Sequence, residues 1–329
     1  MELVEFGTDD AGEVAAFASL TRVVDAVDCP WEPMRTTYRQ VMYMRHSWEG
    51  EPGRWFVAFE DGEPVGTAVL DTSEYDNHDL AWFTLRVAPA YRRRGLGSAM
   101  LCELEQRAAE MGRSLLGMEG WDAAATQGFA ASTGYALKSV EVRRVQTLAG
   151  APDVSTVLGE VVASAGDYEL LRIDGRTPED LMPAVVALSA AINDAPIDEL
   201  EYEDEVYSPD RVRAYESAQI ESGFRFRRLL ARHKRSGEVA GHTVVVVDEE
   251  QPTVAEQHDT SVVRAHRGHR LGLVLKAGMM LWLAEEEPQL SRVYTNNAES
   301  NRHMIDVNDR LGYRPVGRIL QFQKRHQAR

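Results

Sequence analysis

The residues best placed to do chemistry form one short run. A strand-like stretch, Leu80 to Val87, leads through Ala88-Pro89-Ala90-Tyr91-Arg92-Arg93-Arg94-Gly95 into Leu96-Gly97-Ser98, where apolar residues begin to recur at helical spacing through Met100, Leu101, Leu104, Ala108 and Met111. Gly95 and Gly97 let backbone N–H groups approach a ligand with no Cβ in the way, and a helix start presents unpaired donors and the positive end of its dipole. That combination is an anion site, and a pyrophosphate suits it. Neither a nucleotide-triphosphate loop, Gly-x-x-x-x-Gly-Lys-Ser/Thr, nor a full dinucleotide Gly-x-Gly-x-x-Gly follows a strand anywhere in the chain.

The run occurs twice. Aligning Val87 with Val262 pairs Arg92 with Arg267 and Gly97 with Gly272, a shift of 175 residues, and Thr133-Gly134-Tyr135 pairs with Leu311-Gly312-Tyr313 at a shift of 178. A period of this size means two whole domains rather than a solenoid. The second turn, Arg267-Gly268-His269-Arg270-Leu271-Gly272, has Arg270 where the first has Gly95, with Gly268 two residues earlier. An arginine there adds a charge-assisted bond to a phosphate, provided the backbone keeps its shape.

Three candidates for acid–base work, Glu256, His258 and Asp259, lie on the strand before the second turn. Strict alternation puts Glu256, His258 and Thr260 on one face and Gln257, Asp259 and Ser261 on the other, and a bulge would shift that phase. His258 titrates nearest neutrality; the carboxylates would act through water. Exposed strand positions are the plain alternative for each. A further run, Asn193 to Glu205, holds seven carboxylates in thirteen residues, among them Asp198, Glu201, Glu203 and Asp204. It either raises the local concentration of a cationic substrate or forms a solvated loop. Interleaved Leu200, Tyr202, Val206 and Tyr207 favour a packed, substrate-facing segment.

The elements that must position these residues follow from pattern and punctuation. With 329 residues the chain suits two domains, and its order of strands and helices repeats on either side of a stretch without clear periodicity, giving domains at 1–150 and 167–329 and a linker at 151–166. Asp61-Gly62 and Ser236-Gly237 mark one hairpin in each half. A net charge of −16 excludes a nucleic-acid binder that works through a basic face and favours cationic partners. No apolar run approaches the roughly 20 residues needed to span a bilayer, and Cys29 and Cys102, in no metal-type pair, suit reduced thiols in the cytoplasm. Neither a zinc site nor a membrane partner is expected.

Arg92-x-x-Gly95-x-Gly97 after a strand ending Val-x-Pro resembles the coenzyme A pyrophosphate loop of the GNAT acetyltransferase superfamily. The resemblance implies an α/β fold of two tandem GNAT domains, each a mixed, mostly antiparallel central sheet flanked by helices with a splayed fourth strand. It implies acetyl-CoA as co-substrate, held by Val87, Arg92, Arg93, Arg94, Gly95, Leu96, Gly97 and Ser98 in the first half. The matching second set is Val262, Arg267, Gly268, His269, Arg270, Leu271 and Gly272. Backbone N–H groups near Val87 and Val262 would bind the developing oxyanion. The tyrosine that many members use as acid falls at Ala130 and Asn308, so neither half has it.

The row Thr295 to Asn301, with Asn308, resembles the asparagine-bearing segment beside the pantetheine arm; helix capping accounts for Asn296 or Asn297 alone, but not for Asn301 and Asn308 two turns apart. The first half has Trp121 to Thr126 there. The expectation is acetyl-CoA-dependent N-acetylation of a small cationic amine in the second half, through Glu256, His258, Asp259 and Asn308, with Asn301 on the coenzyme and Asp198, Glu201, Glu203 and Asp204 on the substrate. The first half would bind coenzyme A. A coenzyme A-binding regulatory or scaffold protein without turnover is the alternative.

Overall fold

A computed structural model describes residues 1–149, 153–162 and 165–326. The first half runs β1 (Glu2–Phe6), α1 (Ala11–Asp28), α2 (Thr37–His46), β2 (Arg54–Glu60), β3 (Glu63–Asp71), β4 (Leu80–Val87), a 3₁₀ turn (Pro89–Tyr91), α3 (Leu96–Glu110), β5 (Leu115–Trp121), α4 (Ala124–Ser132) and β6 (Ala136–Thr147). The second runs α5 (Val154–Val162), β7 (Tyr168–Asp174), α6 (Met182–Ala190), α7 (Pro209–Glu221), β8 (Phe224–His233), β9 (Val239–Asp248), β10 (Val254–Val262), a 3₁₀ turn (Arg264–His266), α8 (Leu271–Glu286), β11 (Arg292–Ala298), α9 (Arg302–Arg310) and β12 (Arg314–Arg325). No helix among the described residues is long and apolar enough to cross a membrane.

Two compact units result, and their boundaries differ from those expected. The first comprises Met1–Glu141, Ile197–Asp204 and Gly317–Arg329; the second comprises Val142–Pro196 and Glu205–Val316. In the first, the strand order is β1-β2-β3-β4-β5-β12, antiparallel except for the parallel pair β4 and β5. The last strand of the chain thus completes the first sheet, from Ile319 opposite Trp121 to Arg325 opposite Leu115. In the second unit the order is β6-β11-β10-β9-β8-β7, with β10 and β11 the parallel pair. Residues 1–150 are therefore not a self-contained domain.

Alternation explains the first unit's core. Phe56, Ala68, Leu70, Ala81, Phe83, Leu116 and Met118 face α3 through Met100, Leu101 and Leu104. Trp55, Val57 and Val69 face α1 and α2 through Val14, Phe17, Leu20 and Met44. The linker expected at 151–166 contains α5; residues 150–152 and 163–164 lie outside the described set. Val157 of α5 is buried with Leu273, Val274 and Leu283 of α8. That helix is apolar on every side and needs a partner on its outer face as well as on the sheet.

Expressed alone, residues 1–150 would leave the β5 edge, Leu115 to Trp121, without β12. The fragment is expected to aggregate or to melt without a cooperative transition, and restoring residues 317–329 in trans should improve both. A soluble fragment with a cooperative thermal transition would contradict this assignment of β12.

Candidate active site

The first turn keeps the shape its glycines suggest. Gly95 has φ 82° and caps α3, whose first backbone bond runs from the Ala99 N–H to the Gly95 carbonyl, so the N–H groups of Leu96, Gly97 and Ser98 have no intrahelical acceptor. A Cβ on Gly95 would meet nothing within 4 Å, whereas one on Gly97 would press on the Phe129 ring at 3.3 Å. Arg92, expected on the coenzyme, instead braces the turn: Nε donates to the Val87 carbonyl at 3.0 Å and the guanidinium grips Asp28 in two bonds of 2.9 and 2.7 Å. Arg94 pairs with Glu60 and lies against the Tyr91 ring. Arg93, at φ 64°, is exposed and has no hydrogen-bond or ion-pair partner among the described residues.

Beside this turn the sheet opens. The parallel pairing of β4 with β5 ends at Phe83 opposite Met118, although β4 continues to Val87 and β5 to Trp121. The Ala88 N–H bonds the Val65 carbonyl on the β3 side. Alternate residues of a strand donate to opposite edges, so the N–H groups of Val87 and Leu85 face the gap. The second unit repeats the pattern: β10 and β11 pair only from Val254 opposite Arg292 to Glu256 opposite Tyr294, and the Val263 N–H bonds Ala240.

Glu119, the first residue of β5 beyond the split, projects on the α1–α2 side of the sheet, as do Asp71 at the end of β3 and Arg86 on β4. Glu119 is solvent-exposed, yet crowding by protein raises its pKa above the ordinary carboxylate range despite a hydrogen bond from Gln321 and the charges of Arg86 and Arg35. Exposed to water yet closely surrounded by protein, its carboxyl stands at the gap the strand split leaves. Burial, with the negative Glu119 nearby, pushes the Asp71 carboxyl up to about 7. Its Oδ1 would lie 2.1 Å from a Cβ on Gly53, so any side chain there would force this carboxylate to move. Tyr43 of α2 is 38% exposed, yet desolvation by the protein around it, with the Asp71 charge, lifts its hydroxyl to about 12. The Arg86 Nε lies 3.5 Å from Asp25. Sequence reading missed Glu119 and Asp71; the one signal was a carboxylate breaking the apolar run Leu115-Leu116-Gly117-Met118.

The acidic segment belongs to this unit, not to the half that carries it in sequence. Asp198 accepts from Ser139 at 2.6 Å, the Glu201 N–H donates to Gln323 and its carboxylate pairs with Arg325, and the Glu203 and Asn77 side chains each accept the other's backbone N–H. Tyr202 rests against Trp82. Asp204 is exposed. The segment is a pinned strap across the α1–α2 side of the first sheet, with three of its four expected substrate-binding carboxylates engaged.

The second unit uses its candidates differently. Its turn is braced alike, by Arg267 Nε on the Val262 carbonyl and by Arg264 and Arg267 on Asp194, whose carboxyl they hold at about 2. Gly268 at φ 88° and Arg270 at φ 56° reproduce the left-handed positions of Arg93 and Gly95 in swapped order, at a cost of about 1–2 kcal/mol for the non-glycine residue. His269 lies against Tyr168, and Leu271 and Gly272 are buried. A bulge between Gln257 and Thr260 shifts the strand phase, placing Thr260 with Gln257 on Thr243 and Ser261 on Leu188.

Glu256 is clamped by Arg143 in two bonds of 2.8 and 2.7 Å, and His258 is bonded to the Tyr215 hydroxyl at 2.6 Å, its pKa driven down to about 3 by burial. Asp259 lies within electrostatic range of Tyr207 and Arg228. Asn301 caps α9 on the Met304 N–H, and Asn308, fully buried, links Lys276 to Asn297. Both asparagines make hydrogen bonds within the fold. Among the described residues no cluster of His, Cys, Asp and Glu could hold a metal.

The raised Asp71 pKa carries a stability consequence with a fixed sign. The native state binds this proton more tightly than the unfolded chain, so its contribution is present at low pH and is lost as pH rises from about 4 to about 7. Asp71→Asn should remove part of that loss, and its melting temperature should gain on that of the unmutated protein across the interval. Parallel melting profiles would contradict the placement of Asp71.

Residues 9–135 match the family model for the acetyltransferase (GNAT) family. No curated protein matches the sequence. Among solved structures, a tandem GNAT protein from the clavulanic acid biosynthesis pathway, without AcCoA, is 24% identical over 100% of this chain and 99% of its own, with a TM-score of 0.83. A GCN5-related N-acetyltransferase from Sphaerobacter thermophilus is 15% identical over 98% and 95%, with a TM-score of 0.71. The GCN5-related glucosamine N-acetyltransferase region of a fungal multi-domain GH3 beta-N-acetylglucosaminidase is 13% identical over 98% of this chain and 38% of that one, at 0.70. At these identities the likeness is one of fold. The first half thus matches the GNAT acetyltransferase family model, and the chain over its length has the fold of a tandem GNAT protein.

Proposed function

We propose that the first unit transfers the acetyl group of acetyl-CoA directly to the nitrogen of a small amine. One observation carries this reading: the same unit holds an open, donor-lined turn at α3 and, beyond the strand split, two crowded carboxylates. The residues fit the co-substrate. Three free N–H groups and the unpaired Arg93 suit a pyrophosphate, and the space beside Gly95 is open.

Acetyl-CoA supplies an acyl carbon bonded to a sulfur leaving group. The chain's own residues do the rest. Leu96, Gly97 and Ser98 hold the anionic end, and the Val87 and Leu85 N–H groups meet the oxygen on which negative charge develops. Glu119 and Asp71 share the task of taking a proton from the ammonium, directly or through one water, so that a neutral amine attacks; the C–N bond forms as the C–S bond breaks. Two interacting carboxylates titrate as a pair, and a raised pKa brings such a base close to its working pH. Ala130 stands where many relatives place a tyrosine acid, so the thiolate takes its proton from solvent. Two free cysteines, Cys29 and Cys102, suit a cytoplasmic setting.

Glu119→Gln is expected to lower kcat by about a hundredfold, the usual scale for losing a general base, with acetyl-CoA binding retained. Gly95→Asp should remove the first unit's coenzyme binding by placing a charged side chain at a left-handed, anion-binding position. Thiol release across an amine panel, paired with calorimetry, checks both. Unchanged turnover in either variant contradicts the assignment, and binding without release for every amine would favour a non-catalytic coenzyme A-binding protein.

A further inference from the structure

We propose that the acceptor in the first unit is a zwitterion, an amine that also carries a carboxylate, with its ammonium at Glu119 and Asp71 and its carboxylate on Arg35. The inference rests on the reading of this cleft as the acetylation site. It departs from the cationic amine that the acidic composition suggests.

The charges in the cleft lead to it. Arg86 is matched by Asp25. Glu201 is matched by Arg325, and Asp198 and Glu203 are occupied by hydroxyl and amide donors. Arg35 is the exception. It sits just before the Thr36 cap of α2, is exposed, and has no hydrogen-bond or ion-pair partner among the described residues. Trp31, four residues before it, packs on Trp121 at the end of β5 with ring centroids 5.5 Å apart, which sets this segment beside the strand split, and the Arg35 charge acts on Glu119, Arg86 and Tyr43.

Two guanidinium groups beside the carboxylates repel a polycation. One of them, unmatched, offers a planar fork to a carboxylate, and the opposed charges orient a ligand with an amine at one end and an acid at the other. Aromatic residues complete the setting: Trp31 packs edge-on against Trp121, and Tyr43 against Trp55.

The test compares matched pairs of acceptors with acetyl-CoA as donor: tyrosine with tyramine, histidine with histamine, lysine with cadaverine, β-alanine with ethylamine, and spermidine as a polycation. The expected result is that at least one acid-bearing member shows kcat/KM about tenfold or more above its decarboxylated partner, carried mainly by KM. Arg35→Gln should then collapse that ratio toward one, without loss of melting temperature, since Arg35 makes no contact the fold needs.

Equal or better use of the decarboxylated amines or spermidine would overturn the proposal. So would an unchanged ratio in Arg35→Gln. Calorimetry of the same pairs on the coenzyme A complex separates the two claims. Preferential binding of the acid-bearing member without thiol release upholds the ligand class and sinks the acetylation reading. Turnover without that preference does the reverse.

Discussion

The chemistry proposed for the first unit depends on a divergence of two parallel strands. β4 stays paired with β3 to its last residue, Gly66 opposite Val87, and β5 stays paired with β12 to its own, Ile319 opposite Trp121, while the bonds between β4 and β5 stop at Phe83 and Met118. Each strand is held on its outer edge, so the sheet fans apart along the seam between them. Backbone donors that would be spent on a neighbouring strand are left facing a gap. The same parting leaves Glu119 paired with Gln321 of β12 on one edge and facing space on the β4 edge. At the end of β4 the chain must turn at once into α3, and the Arg92 brace to Val87 and Asp28 fixes how it does so.

The second unit shows what the same scaffold does when its polar groups are turned inward. Lys276, 1% exposed, donates to Asn308 and lies over the Tyr313 ring with no ion-pair partner among the described residues, and burial lowers its pKa to about 7. Leu101 and Ala130 occupy the matching places in the first unit, by shifts of 175 and 178 residues. A buried network of this kind favours one packing only when its members are satisfied. Asn308 and Asn297 provide that satisfaction here. The polar row that makes the second half look catalytic in sequence ties α8 to α9 and β11 through Lys276, Asn308 and Asn297, and the first half lacks it.

Much of this was legible in the sequence. The two turns, their spacing and the repeat are local patterns of glycine, arginine and strand residues, and local patterns survive folding. Three features were not legible, each for a physical reason. The exchange of last strands leaves no trace in periodicity, because β6 and β12 have equal length and similar alternation and nothing local says which neighbour each will pair with. The acidic strap reads as a second-half loop because sequence adjacency hides that Leu200 and Tyr202 pack on the first sheet. Glu119 and Asp71 look like ordinary strand carboxylates until the split and the helices α1 and α2 crowd them. For the same reason His258 and Glu256 looked available until the bulge and Arg143 claimed them.

The central claim is that acetyl transfer takes place at the gap between β4 and β5 of the first unit. A crystal structure of the protein with acetyl-CoA tests it most directly. The account predicts pyrophosphate oxygens on the N–H groups of Leu96, Gly97 and Ser98, and the thioester carbonyl within hydrogen-bond reach, about 3 Å, of the Val87 or Leu85 N–H with its methyl end toward Glu119. An acetyl group ordered only in the second unit, with its phosphates on Arg270 and its carbonyl at Val262, would contradict it.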